Sequence, residues 1–200
     1  MRILAFSDMH LSRRHAAAIV EASQEADLVI GAGDFCNMRE GLDDAMHLLD
    51  GLQAPCVAVP GNCESADELR TAALPGMTIL HGEATEVAGL TLFGLGYGVP
   101  VTPFGAWSCD LTEDTAAEML AQCDAADILI LHSPPKGLAD VTSTGHSVGS
   151  TAIHDAIIRI QPKLALCGHI HDCWGVRGQI GQTVVVNLGP TVNWFDVTPS

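Results

Sequence analysis

Seven side chains of types that bind divalent metal ions occur in five short blocks along the 200-residue chain. Each block directly follows a short apolar run of strand length. Carboxylate oxygens, imidazole nitrogens and an amide oxygen together suit Mn, Fe, Zn and similar divalent ions rather than calcium. The seven candidate metal ligands are Asp8, His10, Asp34, Asn62, His132, His169 and His171.

A single tetrahedral zinc ion that keeps one open position requires fewer than seven donors. Seven donors suit two ions that share a bridging carboxylate, which in two-metal hydrolases lie about 3.5–4 Å apart. Asp8-x-His10 and His169-x-His171 each place two donors two residues apart, so in a turn past a strand end both can converge on neighbouring ions. The residue types therefore predict a centre of two divalent metal ions.

The apolar runs before the blocks predict the strands that position them. These runs are Arg2–Phe6 and residues 27–30, 55–59, 127–131 and 163–166. Open α/β sheets place their binding sites at the carboxyl ends of their strands. We therefore expect the seven side chains to meet at the ends of five strands.

The remaining segments complete one predicted α/β domain in which helices cover two sheets. Periodicity indicates helices over residues 13–25 and 38–50, and Thr112 and Ser150 are suitable N-caps for two more. Residues 77–95 contain three strand-like runs separated by glycine-containing turns, which predicts antiparallel pairing. Further strands are expected at Thr183–Asn187 and residues 192–197.

Taken in order, the five blocks resemble the five-block signature of the calcineurin-like metallophosphoesterases. The matching residues are Asp8-x-His10, Gly33-Asp34, Gly61-Asn62, His132 and Gly168-His169-x-His171. Three further segments are similar to a small single-domain prokaryotic branch of that superfamily. They are Thr102-Pro103-Phe104, residues 133–137 and residues 146–150. The resemblance implies one metallophosphoesterase domain over residues 1–200, folded as a two-sheet αββα sandwich.

The resemblance also implies a role for each candidate ligand. The implied ligands of the first ion are Asp8, His10 and His171, and those of the second are Asn62, His132 and His169. Asp34 would bridge the two ions. A hydroxide held by both ions would attack phosphorus in line with the leaving oxygen, which implies a metal-dependent phosphoric ester hydrolase.

Cys63 departs from the resemblance, because the family's third block usually carries there a histidine that protonates the leaving group. A thiol, with a reference pKa near ~8.5, is a weaker proton donor than imidazole at neutral pH. The alternatives for Cys63 are a quiet thiol lining the site and a nucleophile, and the absence of an evident activating base favours the quiet thiol. His146 is either an exposed loop histidine or the residue that contacts the substrate phosphate or replaces the acid.

A long loop over residues 96–110 is rich in glycine, proline and aromatic residues. Loops longer than about 12–15 residues without secondary structure are often functional. We expect this loop to form a wall or lid over the site, with Trp107 able to contact the substrate.

The net charge and the cysteine content limit which molecules the protein is expected to bind and where it is expected to be located. The formal net charge is −15, with 9 Lys and Arg against 24 Asp and Glu, which disfavours long nucleic acids and anionic membranes. The seven cysteines form no Cys-x-x-Cys pair, and the apolar run at the start is too short for a signal segment. We therefore expect free thiols, no membrane contact and a cytoplasmic location.

The predicted function is hydrolysis of a small phosphate ester, a phosphodiester more than a phosphomonoester, with a nucleotide among the candidate substrates. One alternative is a non-catalytic scaffold that keeps the fold for protein binding; relatives of that kind typically lose ligands, whereas this chain has all seven. Another is a nuclease acting on long DNA, which would need a basic groove. Each candidate ligand, taken alone, also fits an ordinary turn or structural histidine, so the prediction depends on all seven occurring together.

Overall fold

The computed structural model describes residues 1–199, over which the chain alternates strands and helices. The strands are β1 (Arg2–Phe6), β2 (Leu28–Gly31), β3 (Cys56–Ala58), β4 (Met77–Ile79), β5 (Glu83–Val87), β6 (Leu90–Leu95), β7 (Ile128–Leu131), β8 (Leu164–Cys167), β9 (Arg177–Ile180), β10 (Thr183–Asn187) and β11 (Asn193–Asp196). The helices are α1 (Arg13–Ala22), α2 (Leu42–Leu48), α3 (Ala66–Ala72), α4 (Glu113–Leu120) and α5 (Thr151–Ile160). Two short 3-10 turns lie at Ser23–Glu25 and His171–Cys173.

These strands form two mixed sheets. The first has the order β11-β1-β2-β3-β4 and the second the order β5-β6-β7-β8-β10-β9. The inner strands of both sheets run parallel, and antiparallel strands lie at one edge of the first sheet and at both edges of the second. The strands that precede the five blocks are all parallel inner strands, so their carboxyl ends point to one side of each sheet.

The two sheets pack face to face, and helices cover both outer surfaces. In β1, Ile3 and Ala5 join a core shared with strands of the second sheet, whereas Leu4 and Phe6 face α1 and α2. The second sheet packs its other face against α4 and α5. Burial on both faces explains why the inner strands are continuous apolar runs rather than alternating ones. The predicted two-sheet α/β sandwich is confirmed.

Two helix predictions need correction at their ends. The helix expected over residues 38–50 begins only at Leu42, because Met38 and Arg39 have left-handed φ angles of 46° and 71° in a tight turn. The helix expected over residues 13–25 ends at Ala22 and continues as a 3-10 turn. Ser150 does cap α5, since its hydroxyl accepts a hydrogen bond from the Ile153 N–H (3.1 Å).

The antiparallel prediction for residues 77–95 is wrong for its first strand. Only β5 and β6 form an antiparallel hairpin, whereas β4 pairs parallel to β3 in the other sheet. The cause is α3, a crossover helix that the apolar pattern did not reveal. Its signature is the capping box formed by Ser65 and Glu68, an N-cap with a glutamate three residues later. The polar edge strand β9 was also not predicted.

Two further predictions concern the whole chain. All seven cysteines lie within the described residues and are free thiols, as predicted. Over residues 1–199, no helix combines the length and the apolar composition needed to cross a bilayer.

Candidate metal centre

The seven predicted ligands meet where the carboxyl ends of the two sheets adjoin. The loops after β1, β2 and β3 supply the donors from the first sheet, and the loops after β7 and β8 supply those from the second. His171 itself begins a 3-10 turn. The seven side chains therefore lie together at the strand ends, where the strand pattern predicted them.

Four of these side chains form what we call the first group: Asp8, His10, Asp34 and His171. One donor atom from each lies within 4.8 Å of the others. The Nε2 atoms of His10 and His171 are 3.2 Å apart, and the His171 Nε2 is 3.7 Å from the Asp8 Oδ1. This spacing allows all four donors to contact one ion.

The second group contains Asp34, Asn62, His132 and His169. The Asn62 Oδ1 lies 3.1 Å from the His132 Nε2 and 3.0 Å from the His169 Nδ1. Asp34 belongs to both groups: its Oδ2 is 3.5 Å from the His10 Nε2, and its Oδ1 is 3.5 Å from the His132 Nε2. The carboxylate thus lies between two clusters of donors, with one oxygen towards each.

Backbone carbonyls orient two of the imidazole rings. The Nδ1 of His132 is 2.8 Å from the Ala32 carbonyl oxygen, and the Nδ1 of His10 is 3.1 Å from the Cys36 carbonyl oxygen. A carbonyl can only accept, so Nδ1 must be the donor in both rings. The Nε2 lone pairs are left facing the site, which is the arrangement metal-binding histidines commonly use.

Several donors occupy a backbone conformation that non-glycine residues rarely adopt. The φ angles are 52° at Asp8, 46° at His10, 56° at Asp34 and 67° at His169. Such conformations cost on the order of 1 kcal/mol or more each and persist only where the surroundings enforce them. Here the loops after β1 and β2 hold one another: the Asp8 N–H donates to the Gly33 carbonyl (2.9 Å) and the His10 N–H to the Asp34 carbonyl (3.1 Å).

Glycines in two of the blocks permit the close approach of these loops. A Cβ at Gly61 would overlap the carboxylate of Asp34, and a Cβ at Gly168 would lie 2.5 Å from the Asp8 Oδ2. The glycines beside the ligands therefore leave the space in which the carboxylates lie.

Glu64 is a functional candidate that the sequence reasoning did not assign. Its side chain is fully buried, and its Oε1 accepts hydrogen bonds from the backbone N–H groups of Asp34 (2.8 Å) and Gly61 (2.7 Å). Its Oε2 accepts from the N–H groups of Phe35 (3.2 Å) and Cys36 (3.4 Å). One carboxylate thus joins the loop carrying Asp34 to the loop carrying Asn62.

The signal for Glu64 was its position directly within the third block, Gly61-Asn62-Cys63-Glu64, where an acid next to a ligand suggests a supporting role. Burial, together with the nearby Asp34 carboxylate, raises the pKa of Glu64 to about 7.

The pKa values of the clustered histidines shift in different directions. Although burial lowers the pKa of His132, the Asp34 and Asp8 carboxylates raise it above its ordinary value. Burial and the neighbouring His132 lower the pKa of His169 to about 3, and burial lowers the pKa of His171. Burial alone would raise the pKa of Asp34, but His132 and His10 reverse this, so it lies below its ordinary value. At neutral pH the His169 imidazole is therefore neutral and the Asp34 carboxylate ionised, which are the forms that bind metal ions.

The two candidate proton donors differ in location. Cys63 is 4% exposed and borders the cleft over the metal centre, and burial with the nearby Asp34 carboxylate raises the pKa of its thiol. His146 lies on an exposed turn, with its Nδ1 3.0 Å from the Thr144 hydroxyl, and is not among the residues that line the cleft. Thr142 of the same segment does line it.

The cleft has a volume of about 320 Å³. Besides ligands from both groups, its walls are formed by Cys63, Phe104, Trp107, Thr142, Ile170 and Asp172. Phe104 and Trp107 belong to the loop over residues 96–110, so that loop forms one wall of the cleft. The sequence had suggested Trp107 but not Phe104.

A family model described as the calcineurin-like phosphoesterase superfamily domain matches residues 1–199. Among curated proteins, the chain is 32% identical over 148 residues to the human metallophosphoesterase domain-containing protein 1. That match covers 70% of this chain but 42% of the human protein, so the chain spans less than half the length of this relative.

Solved structures show the same fold at low sequence identity. The protein TT1561 of Thermus thermophilus matches with a TM-score of 0.75 and 19% identity, covering 98% of each chain. A dimetal phosphatase from Danio rerio matches with a TM-score of 0.61 and 12% identity, covering 95% of this chain and 88% of that one. At these identities the likeness concerns the fold alone.

Proposed function

Because the chain belongs to the calcineurin-like phosphoesterase superfamily, we propose that it is a metal-dependent phosphodiesterase that uses two divalent ions to hydrolyse a small ester. The observation that carries the proposal is the position of Asp34. Its Oδ2 faces the first group and its Oδ1 the second. A carboxylate placed in this way can bind one ion through each oxygen, which supports a bridging role for Asp34 between two ions about 3.5–4 Å apart.

The donor set fits divalent ions by charge as well as by type. Asp8 and Asp34 are buried, and among the described residues their ion-pair partners are imidazoles, with no lysine or arginine among them. Two buried carboxylates surrounded by imidazoles, which are metal ligands in their neutral form, are an arrangement that binding of metal ions stabilises. The first ion would be held by Asp8, His10, Asp34 and His171, and the second by Asp34, Asn62, His132 and His169.

Two divalent ions, when bound, lower the pKa of water and neutralise charge that develops on phosphoryl oxygens. The chain itself contributes orientation. Ala32 and Cys36 fix the rings of His132 and His10 through their carbonyls, and Glu64 fixes the spacing of two ligand loops.

The charge of the cleft favours a diester over a monoester. No lysine or arginine is found among the described residues that line it, and the side chain of Asp172 adds a carboxylate. A phosphodiester carries one negative charge, whereas a monoester carries about 1.5 to 2 at neutral pH. Two divalent ions carry four positive charges, and the carboxylates of Asp8, Asp34 and Asp172 offset three of them. The single positive charge that remains matches a diester and is smaller than the charge of a monoester.

The test is hydrolysis of bis(p-nitrophenyl) phosphate and p-nitrophenyl phosphate by protein loaded with Mn, Fe or Zn, together with elemental analysis of bound metal. We expect two ions per chain and faster turnover of the diester. Asp34→Asn should lose both ions and lower kcat by at least about 10²–10³-fold. Asp155→Asn, an exposed acid on α5, is the matched control and should retain both properties.

Two outcomes oppose the proposal. An active, fully loaded enzyme with one ion or fewer would contradict the bridging role of Asp34. Binding of two ions without hydrolysis of any ester would favour the scaffold alternative.

A further inference from the structure

We propose that the cleft accepts phosphodiesters that carry a planar aromatic ring, and that the side chain of Phe104 is the surface on which this ring stacks. The inference rests on the proposed phosphodiesterase function and names the substrate class for that same site. It concerns binding, so it can be tested separately from turnover.

Phe104 presents a large aromatic surface to solvent at the edge of the cleft. Its side chain is 51% exposed, although it lines the cleft next to the metal centre. Behind it lies Trp107, with ring centroids 5.6 Å apart and an interplanar angle of 11°. Trp107 is itself partly buried against the core under the first sheet. The exposed ring is therefore supported from behind, as a stacking surface must be.

The loop that carries these rings is tied firmly to the metal centre. The Ser108 hydroxyl accepts a hydrogen bond from the Asn62 Nδ2 (3.0 Å), and the Cys109 N–H donates to the Asn62 carbonyl (2.9 Å). Within the loop, the Asp110 carboxylate accepts from both the N–H (3.0 Å) and the hydroxyl (2.8 Å) of Thr102. A surface held in place before the ligand arrives loses little conformational entropy on binding.

The distance between Phe104 and the metal centre suits an ester substituent. The Phe104 ring centroid lies 6.5 Å from that of His169, a member of the second group. Aromatic pairs interact at centroid separations of about 4.5–7 Å. Phe104 is thus in contact range of a candidate ligand, and both residues line the same cleft, so the exposed ring of Phe104 borders the space next to the centre where an ester substituent would lie.

The charges at the cleft wall restrict the ring-bearing group further. Asp172 lines the cleft, and its Oδ2 is held by the Ser143 N–H at 2.7 Å. This fixed carboxylate would repel a second phosphate on the substrate, and the cleft wall offers no lysine or arginine to offset it. The ring-bearing group is thus uncharged, such as an aryl group or a nucleoside without additional phosphates.

The experiment measures binding of three diesters to the Mn-loaded protein by calorimetry: dimethyl phosphate, methyl phenyl phosphate and thymidine 5′-methyl phosphate. All three carry one negative charge, so charge does not account for a difference in affinity. Methyl phenyl phosphate differs from dimethyl phosphate by the ring alone, and the thymidine ester also adds a deoxyribose. We expect the ring-bearing esters to bind at least about fivefold more tightly than dimethyl phosphate, within the range found for stacking on aromatic side chains. The affinities of the phenyl ester and the thymidine ester, compared with each other, show whether the cleft prefers a simple aryl group or a nucleoside.

Phe104→Ala should abolish the preference for ring-bearing esters while leaving the affinity for dimethyl phosphate and the metal content unchanged. Phe104→Trp should restore it. Val101→Ala is the matched control, because Val101 lies on the same loop, is 59% exposed and does not line the cleft.

Equal affinities for all three esters in the unaltered protein, or an unchanged preference in Phe104→Ala, would overturn the inference. So would an equal loss of affinity for all three esters, because Phe104 would then support the loop rather than recognise a ring. A protein that binds the ring-bearing esters through Phe104 but cleaves no ester would leave the inference standing and overturn the proposed function instead.

Discussion

Glu64 contacts the loops that carry the candidate metal ligands Asp34 and Asn62 through their backbone N–H groups. Its two oxygens accept hydrogen bonds from the N–H groups of four residues in two loops. The left-handed φ of Asp34 belongs to this arrangement, because it turns consecutive N–H groups of that loop towards one carboxylate. The distance between Asp34 and Asn62 therefore depends on a side chain that is not itself a ligand.

Glu64→Gln should reduce metal retention and turnover together. The amide NH₂ cannot accept a hydrogen bond, so buried N–H groups lose their partner, at a cost of about 1–3 kcal/mol. Bound metal after dialysis and kcat should both fall, whereas the exposed Glu86→Gln should change neither. Full metal content with unchanged kcat in Glu64→Gln would show that the two loops hold their positions without this carboxylate.

Cys63 lines the cleft at the position where the resemblance implies a proton-donating histidine. Because burial and Asp34 raise the pKa of its thiol, the group remains protonated but is a poor acid at neutral pH. We predict that the enzyme favours esters with aryl leaving groups, which depart as anions without a proton donor. Alkyl esters should be slower in proportion to their higher leaving-group pKa.

Cys63→His should raise the alkyl-to-aryl ratio of kcat/KM, by up to the ~10²–10⁴-fold that general acid catalysis contributes. His146→Ala tests the other candidate donor, and a fall in the same ratio would assign the role to His146 despite its exposed position. A ratio that is identical in all three proteins would mean that neither residue governs protonation.

At the scale of elements, Glu113 of α4 caps the N-terminus of α5. The Glu113 Oε2 accepts hydrogen bonds from the Ser150 hydroxyl (2.8 Å) and the Ala152 N–H (2.8 Å), and its Oε1 accepts from the Thr151 N–H (3.0 Å). These N–H groups have no partner within α5 because they belong to its first turn. A negative charge there also suits the helix dipole.

Glu113→Ala should therefore lower the free energy of unfolding by about 1–2 kcal/mol, the usual cost of losing an N-terminal cap. Urea denaturation measures this, and Glu118→Ala, an exposed acid on the same helix α4, is the matched control. Equal stabilities of the two variants would show that water replaces the Glu113 carboxylate at no cost.

At the scale of the whole molecule, we predict that the net charge of −15 affects which esters reach the site. A long polyanion is repelled by the surface as a whole, whereas a small diester is affected little. Turnover of long single-stranded DNA should therefore be slower than that of a dinucleotide, and it should increase as salt is raised from about 0.01 M to about 0.15 M, where the Debye length falls from roughly 30 Å to roughly 8 Å.

Proteins that bind nucleic acids through basic grooves show the opposite dependence, because salt weakens their phosphate contacts. A fall in DNA turnover over the same range of salt would favour the nuclease alternative. The dinucleotide serves as the control, since its rate should change little.

The candidate metal centre was predictable from sequence because its chemistry is local. Ligand types are restricted by what binds a divalent ion, and each ligand block directly follows an apolar run. Parallel strands bring such positions to one edge regardless of how the rest of the chain packs. The apolar runs of the inner strands likewise indicated sheets covered on both faces, and Ser150 indicated where α5 begins.

Contacts between segments distant in the chain were decided by the tertiary structure alone. The partners of Glu64 and the stacking of Phe104 on Trp107 follow from how loops pack, which no local pattern encodes. For His146 the sequence left two interpretations open, and the structure decided for the exposed loop histidine. The same holds for β4, whose short run resembles those of β5 and β6 but joins the other sheet because α3 carries the chain across. Residue types thus determined which chemistry is available, and packing between loops determined which side chains surround it.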